Sequence, residues 1–321
     1  MSDPIPAHVG NGVVVELITY PIKGCAGVSL QRAVVTPAGL AHDRSFMVVD
    51  PAGVFRSQRR DPRLALIRPD ISADGGHLTL SAPDCEPLRL TVDIDAARRD
   101  VLLFGAPLRG IDQGDVVAGW LSQALGVPSR LVRVPPEHDR RTDGETPGTS
   151  GYADSSAIHL LSRASVESLN ERLRAGGAGA LPTSRFRPNI VVDGWPGPHT
   201  EDHLRHVSVG SAELGFAKRA ARCAVTAVDQ KRGVRTGPEP LRTLAAYRRF
   251  PDGVVLGVKF AVTRPGEIGV GAGLVVGRWA PDADDRRVPA RPASHDAPDS
   301  HRGTVAIAER GGGRDAASAT R

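Results

Sequence analysis

The sequence has few cysteines, few aromatic residues and no long apolar run. Its three cysteines, Cys25, Cys85 and Cys223, are an odd number without CxxC spacing, which argues against a disulfide framework and against a cysteine-rich zinc or iron–sulfur site. No apolar stretch approaches the ~18 residues of a membrane-spanning helix. The first ten residues also lack the cationic and apolar segments of a secretory signal. We therefore expect a cytoplasmic protein that does not associate with membranes.

The charge of the chain is mildly positive and is carried mostly by arginine. With 41 lysines and arginines against 36 acidic residues, the net charge is +5. An excess of arginine suits either nucleic acid or a phosphate-bearing small molecule, because the guanidinium fork pairs with phosphate oxygens. No basic run is interleaved with aromatic residues, which make up only 4% of the chain. The composition therefore favours a phosphate-bearing ligand over nucleic acid.

Glycine and proline are numerous, with 36 and 26 residues, and they divide the chain into many short apolar segments. Val13–Tyr20 and Ile190–Asp193 are predicted to be strands, and Asp50–Gly53 is a hairpin signature. Many short strands with turn residues between them indicate a β-barrel or sandwich. Further strands are predicted at Gln31–Thr36, Ser45–Val49, Val54–Ser57, Leu64–Arg68, His77–Ser81, Leu88–Val92, Ile158–Leu161, Val207–Val209, Cys223–Val228, Val254–Thr263 and Gly269–Gly277. Helical spacing of apolar residues predicts helices at Asp115–Leu125 (with Asp115 as N-cap and Gly126 just past the end), Ser162–Arg174 and Leu241–Arg248.

One internal stretch is the best candidate for a domain boundary. Pro135–Asp154 is rich in proline, glycine and charge and has no apolar period. The residues after about Ala280 also lack an apolar period, which is typical of disorder. The predicted organisation is a leader at 1–10, an N-terminal region at 11–135, a second domain at 136–277 and a disordered tail at 278–321.

The chemistry of the chain is concentrated around Cys223, within the stretch Lys218–Asp229. Arg222 and two other cations precede the thiol, and positive charge favours the thiolate, which is both a nucleophile and a soft-metal ligand. A lone cysteine with no visible partner is nevertheless more often a small buried hydrophobe. The stretch alone therefore favours a structural cysteine, with a reactive thiolate as the alternative.

Two other patterns carry weaker signals. His199, His203 and His206 could bind zinc if the first two shared a helix face, but the loop-like sequence before them favours exposed histidines. Ser155 and Ser156 lack the GxSxG context of a serine hydrolase. Neither pattern indicates a hydrolytic site.

Cations and hydrogen-bonding side chains recur at predicted turns and strand ends in both halves of the chain. Such a set suits a phosphate-bearing cofactor, with the Cys223 thiol as a soft ligand at its far end. The members of the set are Lys23, Arg44, Ser155, Ser156, Arg187, Asn189 and Arg222.

Several stretches, in the same order along the chain, resemble the molybdenum cofactor sulfurase C-terminal (MOSC) family. The N-terminal β-barrel region of that family is similar to TYPIKGCAGVSL and GLAHDRSFMVVDPAGVFRSQRRDPRLALI. The MOSC domain itself is similar to SRFRPNIVVDG, VSVGSAELGFAKRAARCAVTAVDQKRG and LRTLAAYRR. The resemblance covers about residues 11–277, and the layout is similar to that of the amidoxime-reducing proteins.

The resemblance implies a mainly β fold with a few helices, in which an N-terminal β-barrel-like region packs against a MOSC β-barrel domain. It also implies Mo-molybdopterin as the cofactor. Cys223 matches the cysteine that ligates molybdenum and would be kept deprotonated by Arg222. The residues implied to hold the cofactor are Lys23, Arg44, Ser155, Ser156, Arg187, Asn189 and Arg222.

Two functions are compatible with this resemblance. The first is a molybdenum-dependent oxidoreductase that reduces N-hydroxylated small molecules, with electrons from a separate ferredoxin-type or flavin/cytochrome-type reductase. The alternative is a cofactor carrier or sulfur-delivery protein that uses Cys223 as a persulfide or metal ligand. Pyridoxal phosphate occurs around this family, but its covalent site belongs to an aminotransferase domain that this sequence does not contain, so we do not expect it here.

Overall fold

The structure, a computed structural model, describes residues 11–281. The predicted leader lies outside these residues, as does the predicted tail apart from residues 278–281. No helix between residues 11 and 281 is long and apolar enough to cross a membrane.

Most of the described chain is built from short strands, as its glycine and proline content predicts. The strands of the first half are β1 Gly12–Thr19, β2 Ile22–Lys23, β3 Val28–Leu30, β4 Arg32–Thr36, β5 Gly39–Leu40, β6 Phe46–Val49, β7 Arg68–Ile71, β8 His77–Ala82, β9 Cys85–Thr91, β10 Arg98–Leu103, β11 Ala106–Asp112 and β12 Arg130–Arg133. Those of the second half are β13 Arg141–Thr142, β14 Gly148–Thr149, β15 Ile158–Ser162, β16 Ile190–Asp193, β17 Leu204–Val209, β18 Ala212–Ala221, β19 Val228–Asp229, β20 Val234–Arg235, β21 Arg249–Phe250, β22 Gly253–Arg264, β23 Gly266–Gly269 and β24 Gly273–Trp279. The α-helices are α1 Asp115–Leu125, α2 Arg163–Ala175 and α3 Leu241–Tyr247.

Seven strands form a closed barrel. They follow one another around it in the order β15, β16, β1, β24, β17, β18 and β22, and β22 pairs with β15 to close the ring. Closure removes the free strand edges that would otherwise pair with other chains. The interior is filled by buried aliphatic and aromatic side chains, among them Leu17, Leu160, Val207 and Phe260. The predicted fold class, mainly β with a barrel and a few helices, is confirmed.

The first strand of the chain belongs to this barrel. Strand β1 lies between β16 and β24, with Val13 opposite Asp193 on one side and opposite Gly273 on the other. Strand β4 likewise pairs with β23. The N-terminal region and the second domain expected from the sequence therefore share one sheet.

Strands β3 to β5 also pack on the barrel, whereas most of the remaining N-terminal region forms a second core. A five-stranded sheet has the order β10, β11, β12, β6 and β2, and β7, β8 and β9 form a separate three-stranded sheet. Helix α1 packs its buried face against this core. Its Leu121 belongs to the same cluster of buried side chains as Ile22, Phe46 and Leu78. Helix α1 has the predicted bounds and ends at Gly126 in the left-handed conformation. Its N-cap residue is Gly114, however, and not Asp115.

Three predicted strands are wrong. In place of Val54–Ser57 the chain forms only isolated bridges, from Val54 to Leu102 and from Phe55 to Val49. In place of Leu64–Arg68 the chain forms a 3-10 helix at Pro62–Leu66, because the fixed φ of proline suits the first turn of a helix. In place of Cys223–Val228 it forms a 3-10 helix at Ala224–Ala227. There the Thr226 amide and hydroxyl both donate to the Cys223 carbonyl, at 3.0 and 2.9 Å. Apolar periodicity alone cannot separate such short turns from short strands.

Candidate functional site

Residues from both halves of the chain line one open cavity with about 870 Å³ of space, part of it continuous with solvent. Of the eight side chains singled out from the sequence, all but Ser155 line it. Ser155 lies outside the cavity lining, and its carbonyl accepts a hydrogen bond from Ser150 Oγ at 3.1 Å. The residues brought together are Lys23, Arg44, Ser156, Arg187, Asn189, Arg222 and Cys223.

Strand ends and tight turns place these side chains at the cavity. Arg44 and Arg187 adopt left-handed backbone conformations, with φ of 48° and 55°, which are uncommon for residues other than glycine. The Arg44 turn is fixed because its amide donates to Tyr20 O at 2.7 Å and its carbonyl accepts from Tyr152 N at 2.8 Å. The Arg187 amide donates to Ser184 O at 3.2 Å. Strained backbone that the surroundings hold in place clusters at functional sites.

The buried ring of Tyr20 lies between two of the cavity's cations. The guanidinium carbons of Arg44 and Arg187 are 4.3 and 4.2 Å from the ring centroid, which is cation–π distance. Burial raises the pKa of Tyr20 to about 12, so the phenol stays neutral. Arg44 also donates to both carboxylate oxygens of Asp43, at 2.8 and 2.6 Å. The floor of the cavity therefore holds two neighbouring positive charges in fixed positions.

The Asn189 amide is fully engaged by protein groups. Its oxygen accepts from Arg44 Nη1 and from the His159 amide, both at 3.1 Å. Its nitrogen donates to Ile18 O at 3.1 Å and to Asp43 Oδ1 at 3.0 Å. This uses the full capacity of a side-chain amide. Asn189 thus positions Arg44 and has no hydrogen bond left for a ligand.

Four buried polar atoms of cavity-lining residues lack a hydrogen-bond partner among the described residues. They are Arg56 Nε, Ser156 Oγ, Arg187 Nη2 and Arg222 Nε. Buried polar groups are nearly always satisfied, and an unsatisfied donor costs about 1–3 kcal/mol. Arg222 Nη1, by contrast, donates to Phe186 O at 3.1 Å, which fixes its guanidinium at the cavity. The unsatisfied donors fit an anionic ligand with several oxygen acceptors, such as a phosphate-bearing cofactor.

Five basic residues of the cavity lining were not predicted from the sequence: Arg56, Arg59, Arg185, His159 and Lys259. The last two lie inside strands. The side-chain ammonium of Lys259, on β22, has no hydrogen bond or ion pair with any residue between 11 and 281. Burial lowers its pKa to about 7, and the positive charges of Arg222 and Arg44 add to that effect. His159 is buried on β15, and burial, with Lys259 and Arg222 nearby, holds its pKa well below the ordinary value. It is therefore neutral, with Nδ1 3.3 Å from Arg187 O.

Lys23, from the N-terminal region, is another cation of the cavity lining. Its ammonium donates to Tyr152 O at 2.9 Å and pairs with the Asp154 carboxylate. Burial lowers the pKa of Lys23, while Asp154 opposes that effect. The Lys23 ammonium is thus fixed by protein groups. The Lys259 ammonium has no such partner among the described residues and is available to bind a ligand.

Cys223 lies two residues after the end of β18, where it precedes the 3-10 helix at Ala224–Ala227 in an extended conformation. Its side chain is half-buried and lines the cavity. Cys25, by contrast, lies in the apolar core beside Ile22 and Leu64, and burial raises the pKa of its thiol to about 12. Cys85 lies away from the cavity on β9. Cys223 is therefore the cysteine that a cavity ligand can reach.

Between residues 11 and 281, no group of three or more His, Cys, Asp or Glu side chains is arranged to hold a metal ion. His199, His203 and His206 are among the side chains that do not form such a group. They are half-buried, whereas the sequence predicted that they would be exposed.

Comparisons with known proteins show which family the chain resembles along its length. Residues 11–128 match the MOSC N-terminal beta barrel domain, and residues 147–275 match the MOSC domain. The chain is 34% identical to mitochondrial amidoxime reducing component 2 of Rattus norvegicus over 283 residues, covering 81% of this chain and 82% of that protein. It is 34% identical to amidoxime-reducing component 1 of Mus musculus, covering 81% of each. It is also 31% identical to the molybdenum cofactor sulfurase of Danio rerio, covering 73% of this chain but only 30% of that protein.

Proposed function

The chain belongs to the family of MOSC-domain proteins, and on this basis we propose that its cavity binds Mo-molybdopterin and that it reduces N-hydroxylated compounds. The names of its amidoxime-reducing relatives support this reaction class. The word "component" in those names fits a system in which electrons come from a separate protein. We propose a ferredoxin-type or flavin/cytochrome-type reductase as that donor.

One observation carries the proposal: a soft thiol and several cations with unsatisfied donors line the same cavity. The phosphate of the cofactor would accept hydrogen bonds from Arg187, Arg222 and Ser156, whose donors lack partners within the described chain. The Cys223 sulfur would ligate molybdenum, because a thiolate is a strongly donating ligand for a transition metal. The bound cofactor would supply a two-electron redox centre, so that two protons and two electrons convert the N–OH group to N–H and water.

The protein's own groups then have separate tasks. Tyr20, Asp43 and Asn189 hold Arg44 and Arg187 in place before any ligand binds. Such preorganisation reduces the entropy lost on binding, because fewer side chains must be ordered. The β-barrel supplies the rigid frame on which these turns are mounted.

We expect the protein to contain molybdenum and pterin in equal, stoichiometric amounts when it is produced in a host that makes the cofactor. The cationic cavity should retain both during purification, because charge-assisted hydrogen bonds to phosphate are strong. Metal analysis by mass spectrometry and the fluorescence of the oxidised pterin measure the two contents. A matched preparation from a host that cannot make the cofactor is the control. Absence of both from the first preparation would contradict the proposal.

The similarity to molybdenum cofactor sulfurase favours a second candidate, a cofactor carrier or sulfur-delivery protein. The loaded protein distinguishes the two when it is mixed with a chemical electron donor and an amidoxime. Turnover to the amidine supports the reductase. Molybdenum content without turnover, combined with transfer of the cofactor to an acceptor apo-enzyme, supports the carrier.

Anion binding in the cofactor-free cavity should weaken as the pH rises through about 7. Lys259 is protonated below its pKa of about 7 and neutral above it, so the cavity loses one positive charge. His159 stays neutral in this window because its pKa is well below the ordinary value, and Arg222 stays charged because burial lowers its pKa only to about 10. Sulfate is a suitable probe because its own charge is constant here. We expect its affinity to fall about tenfold between pH 6 and 8.5, which corresponds to roughly 1.4 kcal/mol.

The matched variant for this prediction is Lys259→Arg, which keeps its charge over the whole range. Isothermal titration calorimetry of sulfate should show a much flatter pH dependence for this variant. An equally steep dependence in both proteins would show that another group titrates.

A further inference from the structure

One wall of the cavity is aromatic, in contrast to its cationic floor. Phe55 and Phe104, from the N-terminal region, also line it. Their ring centroids are 4.5 Å apart and their planes are inclined by 62°, an edge-to-face contact. The Lys23 ammonium lies 5.0 Å from the Phe104 centroid and 5.6 Å from that of Phe55. Because Lys23 is itself fixed by Tyr152 O, the aromatic pair is connected to the floor of the cavity.

The backbone at Phe104 is unusual for a residue of its size. Phe104 and Gly105 form the two-residue turn between β10 and β11, with Leu103 paired to Ala106. Both turn residues have left-handed φ values, 52° and 81°. A turn of this kind favours Asn-Gly, and a bulky residue in the first position is a conformational outlier. The backbone of this turn is therefore strained at the residue that carries the phenyl ring.

Burial in a core does not account for the phenylalanine. The Phe104 side chain is 46% exposed, so one part of the ring contacts Phe55 and the rest is open to the cavity and solvent. Arg59 reaches the same ring, with its guanidinium carbon 5.8 Å from the centroid. Aromatic side chains at the mouth of a cavity are typical of ligand sites, where they bind apolar, flat groups.

We propose that Phe104 and Phe55 form the subsite that binds the body of the substrate, and that the preferred substrates are N-hydroxylated compounds with a flat aromatic ring. This inference rests on the proposed reductase function. The charged floor suits the anionic cofactor, whereas an uncharged ring gains more from contact with the phenyl groups because both surfaces leave water. The ring of the substrate would then be held at the rim while its N–OH group points toward Cys223.

Two substrates with the same reacting group test this assignment. Benzamidoxime and acetamidoxime both carry an amidoxime, but only the first has a ring. The informative variant of the cofactor-loaded protein is Phe104→Asn, because asparagine removes the ring and is favoured in the left-handed turn position. Its melting temperature and molybdenum content should therefore equal or exceed those of the wild type. Phe104→Tyr, which keeps a ring, is the matched control.

We expect the ratio of kcat/KM for benzamidoxime to kcat/KM for acetamidoxime to fall about tenfold in Phe104→Asn, mainly through KM for benzamidoxime. In Phe104→Tyr the ratio should stay close to that of the wild type. An unchanged ratio in a folded, molybdenum-containing Phe104→Asn protein would overturn the subsite. So would a wild type without preference for the aromatic substrate.

A binding measurement separates this inference from the proposed reaction. Saturation-transfer NMR on the loaded protein should show contact with the benzamidoxime ring protons in the wild type and a loss of that signal in Phe104→Asn. If the wild type shows the contact but does not turn over, the reaction is wrong and the subsite remains. If turnover occurs without the contact, the reaction remains and the subsite is wrong.

Discussion

Cys223→Ser should lose reductase activity to background while keeping its pterin. The substitution replaces a soft, strongly donating sulfur by a hard hydroxyl that ionises with difficulty, so the molybdenum loses its protein ligand. The cations and donors that would hold the phosphate of the cofactor are unchanged. Serine also suits this position structurally, because Cys223 precedes a 3-10 helix in an extended conformation and serine is a favoured N-cap residue.

The other cysteines provide the controls for this experiment. Cys85→Ser changes a half-buried residue on β9 and should leave molybdenum, pterin and activity at wild-type values. Cys25→Ser places a hydroxyl in the apolar core, so its melting temperature should fall while the folded fraction keeps its molybdenum. Activity per molybdenum, pterin fluorescence and the sulfur-to-metal absorption band report the outcome. Wild-type activity in Cys223→Ser, or loss of activity in Cys85→Ser, would contradict the role of Cys223.

Arg187→Lys should lose the cofactor much faster than the wild type. Arg187 has one guanidinium nitrogen without a partner in the described chain, and its guanidinium lies against the Tyr20 ring. A lysine ammonium cannot reproduce two parallel hydrogen bonds and stacks less well. Loss of one charge-assisted hydrogen bond corresponds to about 1.5–3 kcal/mol, or roughly 10- to 150-fold in affinity. The measurement is the molybdenum and pterin that remain after extended dialysis.

Arg163→Lys is the matched control for this substitution. Arg163 forms an exposed ion pair with Asp193, 2.8 Å between Nη1 and Oδ2, on the surface of α2. Exposed pairs of this kind contribute little to stability, so this variant should retain its cofactor. The melting temperatures of both cofactor-free variants show whether a loss at Arg187 reflects the ligand contact or the fold. Equal retention in the two variants would mean that Arg187 does not bind the cofactor.

Seven residues of the cavity lining could be predicted from the sequence because they occupy turns and strand ends. Lys23, Arg44 and Arg187 lie where glycine, proline and charge interrupt apolar segments, and such positions converge at the ends of strands. Lys259 and His159 were missed because each lies inside a strand that otherwise reads as barrel core. Lys259 follows Val258 and precedes Phe260, both fully buried. A lone charge inside such an apolar run was the available signal, since a buried lysine without a partner is rare.

Other features of the site depend on side-chain positions that no pattern fixes. Ser155 and Ser156 are adjacent in the sequence, yet only Ser156 lines the cavity; the chain bends at both residues before β15 begins, so no regular alternation predicts which one does. Asn189 was selected as a cofactor ligand, but its four hydrogen bonds to the protein give it a positioning role. The aromatic wall was missed because Phe104 lies in a turn position that usually carries asparagine.

The position of β1 in the barrel has a consequence for the time at which the protein becomes active. During synthesis, β1 is made before the other strands of its sheet, whereas its neighbour β24 is made last. Contacts between segments so far apart along the chain form late, because a long loop must close first. The barrel is therefore incomplete until translation has passed β24. Before then, no closed barrel holds the turns that carry Arg187 and Arg222. A cofactor of the proposed kind would therefore find its closed cavity only after β24 has been made.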